Sequence, residues 1–522
     1  MLAPRSLAVA LLLALGACGA PSPPSPPAPR SVTARVRFGA RTPLAGGLSD
    51  TETWRPARYL DVIVRRPDGQ ERERAQTDAE GRATLHAATG DSVVLVTHVA
   101  HGGLEAWVTT DAEGSTPHEH VIAVGASDLE IDLPDAQPFA GALHLLDTIV
   151  HGLEAEQRWR EVTMPPIFAH WGRGETTDWS YFLGEVPEGS GRYGLVLMGG
   201  EPGQQASTDT DEHDEGIVLH ELGHFVMAGT SGDSSIGGRH PPGSLTEPGV
   251  AWEEGRATFF AVAALASSGL STEARYRDTI GIVPTGSCRV DQDVESPAAD
   301  NPRGPGVQES VTAILWDLAD GDDPGVPAGA RLPDRDHDGI ALGAGGVMEA
   351  MEAQWAEEGS YPGLTSFLQF LLRTGRVERA ALEAMLTRTG EPATVLDATW
   401  PTELALGADV EGQVDGLSDP APSGGGPRPE NGLDSVEAYR VPVDRPGTLE
   451  VRIRVEGSGT ATDHTDVLVE LRDRRAVLLR SVTTRAHEAR LAVPVEEGTY
   501  VVYARSVEAG SRASYTLQAS LQ

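Results

Sequence analysis

The sequence predicts a multidomain chain in which a central α+β domain is flanked by two antiparallel β-sandwich domains. Three observations carry that prediction. At 522 residues and 39% hydrophobic content, the chain is long enough to build several cores. Residues 31–135 and 433–522 alternate apolar and polar side chains, as half-buried strands do. Residues 136–405 between them carry apolar patterns of helical period.

At the N-terminus, Arg5 precedes an apolar run from Leu7 to Leu15. Such a run is a short secretory signal, too short to span a bilayer. It ends in Leu15-Gly16-Ala17-Cys18, which resembles a bacterial lipobox. The resemblance implies a lipoprotein signal peptide over 1–18 and a lipidated Cys18 that anchors the chain to the cell envelope. With Gly19 following, it favours the outer membrane or cell surface. An ordinary cleaved signal with an incidental cysteine is the plainer alternative. Residues 19–30 are rich in proline and serine and read as a semi-rigid linker.

In 31–135, Val32, Ala34, Val36 and Phe38 alternate with polar residues, and Tyr59–Val64 and Val93–Val96 are further strand-like runs. Pro67-Asp68-Gly69 marks a turn. Thr77 to Leu85 resembles the repeat of carboxypeptidase-regulatory-like β-sandwiches, which implies a spacer or adhesion module. His118 and His120 are two candidate metal ligands in a polar loop, where surface histidines are more common.

From about 136 the pattern turns helical, first over Leu143–Arg160, with strand-like Pro166–Trp171 and Tyr193–Met198 following. Residues 220–224 then read His-Glu-Leu-Gly-His within an apolar helical pattern made by Ile217, Val218, Leu219, Leu222, Phe225 and Val226. Histidines four apart on a helix share a face, so His220 and His224 can reach one ion. Zinc takes neutral imidazole nitrogen at about 2.0–2.1 Å, and a catalytic site combines three protein ligands with an open position. Glu221, next to the first histidine, is placed beside that position, where a carboxylate can act as general base on an attacking water. A second helix, from Ala251 to about Ser267, carries Glu253 and Glu254, with the small residues Ala257, Thr258 and Ala261 allowing close approach. On spacing alone, either glutamate can supply the third ligand.

His-Glu-Leu-Gly-His followed by Glu254-Gly255-Arg256-Ala257 resembles the gluzincin zinc metallopeptidases. The resemblance implies a zincin-like catalytic domain, His220, His224 and Glu254 as zinc ligands, and Glu221 as general base. It departs from thermolysin at Thr258, where those enzymes carry an aspartate that orients a ligand. Asp211, Asp214, Glu253 and Asp278 are candidates for that part, since ligating histidines need an acceptor on the other ring nitrogen. His240 and Tyr276 are candidates for stabilising the oxyanion. Gly237-Gly238-Arg239-His240 and Leu315-Trp316-Asp317-Leu318 resemble stretches of bacterial envelope proteins with a gluzincin core.

The acidic run Asp209–Glu215 either binds calcium or is a solvated start to the helix. Asp334, Asp336, Asp338 and Gly339 match the opening of a calcium loop, but the twelfth position is Gly345 where a bidentate glutamate belongs. Further helices are expected over Glu309–Leu318, Gly346–Glu357, Gly363–Thr374 and Val377–Thr387. Residues 406–432 are expected to be a linker, centred on the Pro/Gly-rich 418–432. Beyond it, Leu449, Val451, Ile453 and Val455 alternate with charged residues. Gly498-Thr499-Tyr500 and Tyr515-Thr516-Leu517 resemble the bacterial pre-peptidase C-terminal domain.

The chain contains no lysine, which excludes a Schiff-base lysine and a phosphate loop of the Walker type. A net charge of −36 argues against nucleic acid as a partner. The only cysteine besides Cys18 is Cys288, so with Cys18 lipidated no internal disulfide forms. The expected activity is an envelope-anchored zinc metallopeptidase acting on peptide or protein substrates. The alternative is a non-catalytic metal-binding envelope or adhesion lipoprotein.

Overall fold

Alternation of Val32, Ala34, Val36 and Phe38 with polar residues produces the strand Arg30–Ala40, whose apolar side chains are fully buried. It pairs antiparallel with Arg82–Ala87 and Thr53–Pro56, and parallel with Leu129–Leu133. The computed structural model describes residues 28–522 except 176, 178, 234, 239, 283–286, 299–300, 322–331, 333–338, 358–360, 398–399, 416–435, 456–466, 475–476, 485–487 and 508–511. Cys18 and the Asp334, Asp336 and Asp338 loop therefore lie outside the described residues. Among the described residues, no helix is long and apolar enough to cross a membrane.

A second sheet draws strands from both sides of residue 135. Its order is Tyr181–Glu185, Tyr193–Val196, Ile167–His170, Leu104–Thr109, Ser92–His101, Leu60–Arg65 and Glu71–Gln76. Ile167–His170 lies parallel to Leu104–Thr109 on one side and to Tyr193–Val196 on the other. One apolar core runs from Val32 to Leu396. Among the described residues, side chains from both sides of residue 135 thus share one core.

Helix α1 (Pro138–Arg160) starts with proline in its first turn, buries Phe139, Leu143, Leu146 and Ile149, and packs on the strands Leu104–Thr109 and Arg30–Ala40. Helices α2 (Glu215–Thr230) and α3 (Pro248–Ser267) pack on each other, with α4 (Gln308–Ala319) against α3. Helices α5 (Gly343–Ala356), α6 (Leu364–Arg373) and α7 (Arg379–Arg388) complete the helical body. A hairpin of Arg275–Ile280 and Ser287–Asp293 lies against the start of α2.

The C-terminal body has two sheets. One orders Thr402–Glu403, Val436–Val443, Gly498–Ser506, Val467–Asp473 and Leu478–Thr484; the other orders Asp409–Asp415, Arg512–Leu521, Gly447–Val455 and Glu488–Val495. Their inward residues, among them Val441, Leu449, Val451, Val469 and Leu517, form a common core, which makes a β-sandwich. Asp409–Asp415 falls within the segment expected to be a linker. It is a strand, paired antiparallel with Arg512–Leu521 over its whole length. Only Val410 and Val414 are apolar there, which left too little alternation to read from the sequence. The chain is therefore a multidomain fold rich in antiparallel sheet with several helices.

Candidate metal centre

The start of α2 is fixed from the N-terminal sheets. Glu215, in its first turn, accepts from Arg55 Nη2 at 2.6 Å and lies 3.1 Å from His144 Nε2 of α1. Val218, Leu219, Leu222, Phe225 and Val226 are buried, and Phe225 meets Phe182 and Tyr193 of the adjoining sheet. Helix α3 starts at Pro248, capped by Glu247, whose side chain accepts from Val250 N at 2.8 Å. The two helices touch at Gly223, where a Cβ would stand 2.9 Å from Ala257 Cα and 3.0 Å from its carbonyl oxygen. That close approach brings side chains of both helices to one point.

The donors that meet there are His220 Nε2, His224 Nε2 and Glu254 Oε2. Their separations are 3.1 Å from His220 to Glu254, 3.2 Å between the histidines, and 3.6 Å from His224 to Glu254. A tetrahedral zinc site with bonds of about 2.0–2.1 Å has donor–donor edges of about 3.3–3.4 Å. The observed triangle straddles that value, and two imidazoles with a carboxylate are a zinc donor set, so these residues fit the ion. Cys18 lies outside the described residues.

Glu253, the other candidate third ligand, is turned away. Its Oε2 accepts from Arg256 Nε at 2.8 Å and from Arg256 Nη2, while Arg256 Nη1 donates to Ser231 Oγ at 2.9 Å. The partner that orients His220 is Thr258, whose Oγ1 lies 3.0 Å from Nδ1. With the Nδ1 proton donated to that hydroxyl, the Nε2 lone pair faces the other donors. None of the four carboxylates considered for this part takes it. Asp211 accepts from Met198 N at 3.0 Å, and Asp214 from Thr279 Oγ1 at 2.8 Å. Asp278 faces Arg289, at 3.8 Å. The hydroxyl at position 258 takes the part that the resemblance leads one to expect of a carboxylate.

The imidazoles and the carboxylates at the centre act strongly on one another. Burial pulls the His224 imidazole down, but Glu254, with Glu221 nearby, outweighs this and pushes it up to about 9. Burial would raise Glu254, yet His240, His224 and the hydrogen bond from His220 hold it well below the usual carboxylate range. Glu221 is buried and acts electrostatically on both His224 and Tyr276. Burial, then Asp278, Glu221 and Glu254, keep the tyrosine hydroxyl protonated well above its ordinary range. The Tyr276 ring lies 5.7 Å from that of His220. His240 Nε2 lies 3.3 Å from Glu254 Oε2, with Nδ1 fixed 2.9 Å from Gly238 O. His118 and His120 stand apart from this centre: the first bonds Trp171 O at 2.8 Å and the second stacks on Phe139.

No protein-family model and no curated protein matches the chain. Parts of it are similar to several solved structures. One is the pre-peptidase C-terminal domain of collagenase from Bacillus anthracis, at 12% identity and TM-score 0.17, covering 23% of this chain and 92% of that one. Another is CorA, a surface-associated copper-binding protein of Methylomicrobium album BG8, at 6% identity and TM-score 0.16, covering 24% of this chain and 100% of that one. A third is the C-terminal CBM6 of LamC from Zobellia galactanivorans, at 17% identity and TM-score 0.14, covering 21% of this chain and 99% of that one.

Proposed function

We propose that the chain is a zinc-dependent metallopeptidase with a zincin-like catalytic domain, held at the bacterial cell envelope by a lipid on Cys18. The observation that carries this reading is the convergence of His220, His224 and Glu254, with Glu221, the next residue after His220, also buried. His220, His224 and Glu254 would hold the zinc, which would supply a Lewis acid for the scissile carbonyl and a water of pKa lowered towards about 7.

The chain's own residues supply the rest. Thr258 keeps the His220 proton on Nδ1, so that Nε2 serves as ligand. Glu221 takes the proton of the attacking water and passes it to the leaving amine. Tyr276, protonated over the working pH range, and His240, whose Nε2 already faces the ligand cluster, are the donors for charge that develops on the carbonyl oxygen. Loss of one such donor typically costs about 10²–10³ in rate. The substrate class is a peptide or protein, and nucleic acid is disfavoured by the net charge of −36.

The test is Glu221→Gln. The variant is expected to bind one zinc with unchanged affinity and to lose hydrolysis of a peptide library that the wild type cleaves. A variant that keeps both zinc and activity removes Glu221 from the reaction. A zinc-loaded wild type that cleaves nothing the chelated protein spares leaves a metal-binding envelope protein instead.

A further inference from the structure

A second group of ionisable side chains shares no residue with the histidine centre. Asp209 and Asp214 lead into α2, and Asp278 comes from the hairpin strand Arg275–Ile280. Carboxylate oxygens of the three lie within 4.8 Å of one another. The backbone brings them together: Asp209 forms a bridge with Ile280, and Thr279 donates to Asp214 through both N and Oγ1, at 3.2 and 2.8 Å. Asp211, next along the chain, is also buried and acts electrostatically on this group.

Asp211, Asp214 and Asp278 are buried and Asp209 is half-buried, and Arg289 pairs with two of the four. Arg289 Nη1 holds Asp209 Oδ2, and its Nε stands 3.8 Å from Asp278 Oδ2. The Arg289 side chain is itself 54% exposed. The other oxygens of the two acids are left over. Asp278 is only 8% exposed, and among the described residues its Oδ1, like Asp209 Oδ1, is buried without a hydrogen-bond donor. Buried polar atoms ordinarily have a partner, and an ionised carboxylate needs one most. An oxygen-only donor set with no nitrogen or sulfur suits a hard cation. Two oxygens on opposite sides of a calcium ion with bonds of about 2.4 Å are about 4.8 Å apart, which the spacing allows.

We propose that Asp209, Asp214 and Asp278 form a calcium site that ties the start of α2 to the hairpin carrying Tyr276. Burial and then Asp209 push the Asp278 carboxyl up to about 7 against the pull of Arg289, in keeping with a site that needs a positive charge. The site stands on its own geometry and does not depend on peptidase activity.

The test uses the full chain, freed of divalent ions and reloaded with one equivalent of zinc, in calcium titration calorimetry and thermal unfolding. Saturating calcium is expected to raise the wild-type Tm by about 5 °C, as ligand at a large excess over Kd does. Asp278→Asn and Asp209→Asn should bind one calcium fewer and lose that shift. Without calcium, both should melt above the calcium-free wild type, because a repelling carboxylate is gone. Asp336→Asn, in the separate acidic loop, should keep the response. No calcium response in the wild type overturns the site. So does an undiminished response in Asp278→Asn, or a calcium-free Asp278→Asn less stable than calcium-free wild type.

Discussion

At His220, the ring nitrogen turned away from the donor cluster lies 3.0 Å from a threonine hydroxyl, not a carboxylate. A neutral acceptor at Thr258 fixes ring and tautomer without adding another negative charge to a pocket already held by Glu221 and Glu254. A carboxylate there would make the imidazole a stronger donor but would raise the charge to be offset by the ion. Removing the acceptor should therefore free the ring, and outer-shell partners of this kind are typically worth about 10–100-fold in metal affinity. Thr258→Val is expected to weaken zinc binding by about that factor, read by competition with a chromophoric chelator, while Thr258→Ser retains it. Equal affinities for all three proteins would show that the hydroxyl contributes nothing to the ligand.

At the scale of elements, the centre exists because α2 and α3 approach closely at Gly223. Alanine is the better helix former by about 1 kcal/mol. Yet a methyl group at Gly223 would press on Ala257 Cα at 2.9 Å, and overpacking of this kind costs about 1–3 kcal/mol. Gly223→Ala is expected to lower stability in denaturant and to spread the ligand triangle, weakening zinc binding. A variant more stable than wild type, with unchanged affinity, would mean that the helices have room to spare. This packing also explains what the sequence could disclose. The histidine spacing, the helical period of α2 and the small residues Ala257, Thr258 and Ala261 are local signals, and the structure brings those residues together. Glu253 and Glu254 project from different faces of α3, and which face meets α2 is decided by packing: Glu253 pairs with Arg256 on its own helix, and Arg256 is held by Ser231 and Gly232 from beyond it. The continuous sheet was hidden for a similar reason. Ile167–His170 has four residues and takes its neighbour from Leu104–Thr109, a non-local parallel pairing that leaves no trace in periodicity. The Asp209, Asp214 and Asp278 cluster likewise joins the start of a helix to a distant hairpin.

Across the whole molecule, the C-terminal β-sandwich is joined to the helical body by more than a connecting segment. Ile236, Val250 and Tyr361 of that body share an apolar cluster with Val436, Ala438, Val501 and Tyr503 of the sandwich. The Tyr361 and Tyr503 hydroxyls are hydrogen-bonded, and the Arg474 guanidinium lies 5.1 Å from the Trp355 ring centroid. Thr402–Glu403, which follows the helical body, pairs in parallel with Val436–Val443. Val250 lies in the first turn of α3, four residues before Glu254, and Ile236 lies in the segment that leads to His240. Removing the sandwich would therefore expose the base of the helix that carries Glu254. Each large apolar side chain returned to water costs about 1.5–3 kcal/mol, and a body of this size loses about 2–4 °C in Tm per kcal/mol. A chain ending at residue 405 is accordingly expected to melt about 10 °C below the full chain and to aggregate on heating. Its zinc affinity should fall along with it, because α3 and the segment bearing His240 both lose their support. Scanning calorimetry of the two proteins, each loaded with zinc, decides the matter. If they melt together with equal affinity, the sandwich is an appended module. If the truncated chain melts early, the sandwich is a structural part of the metal centre.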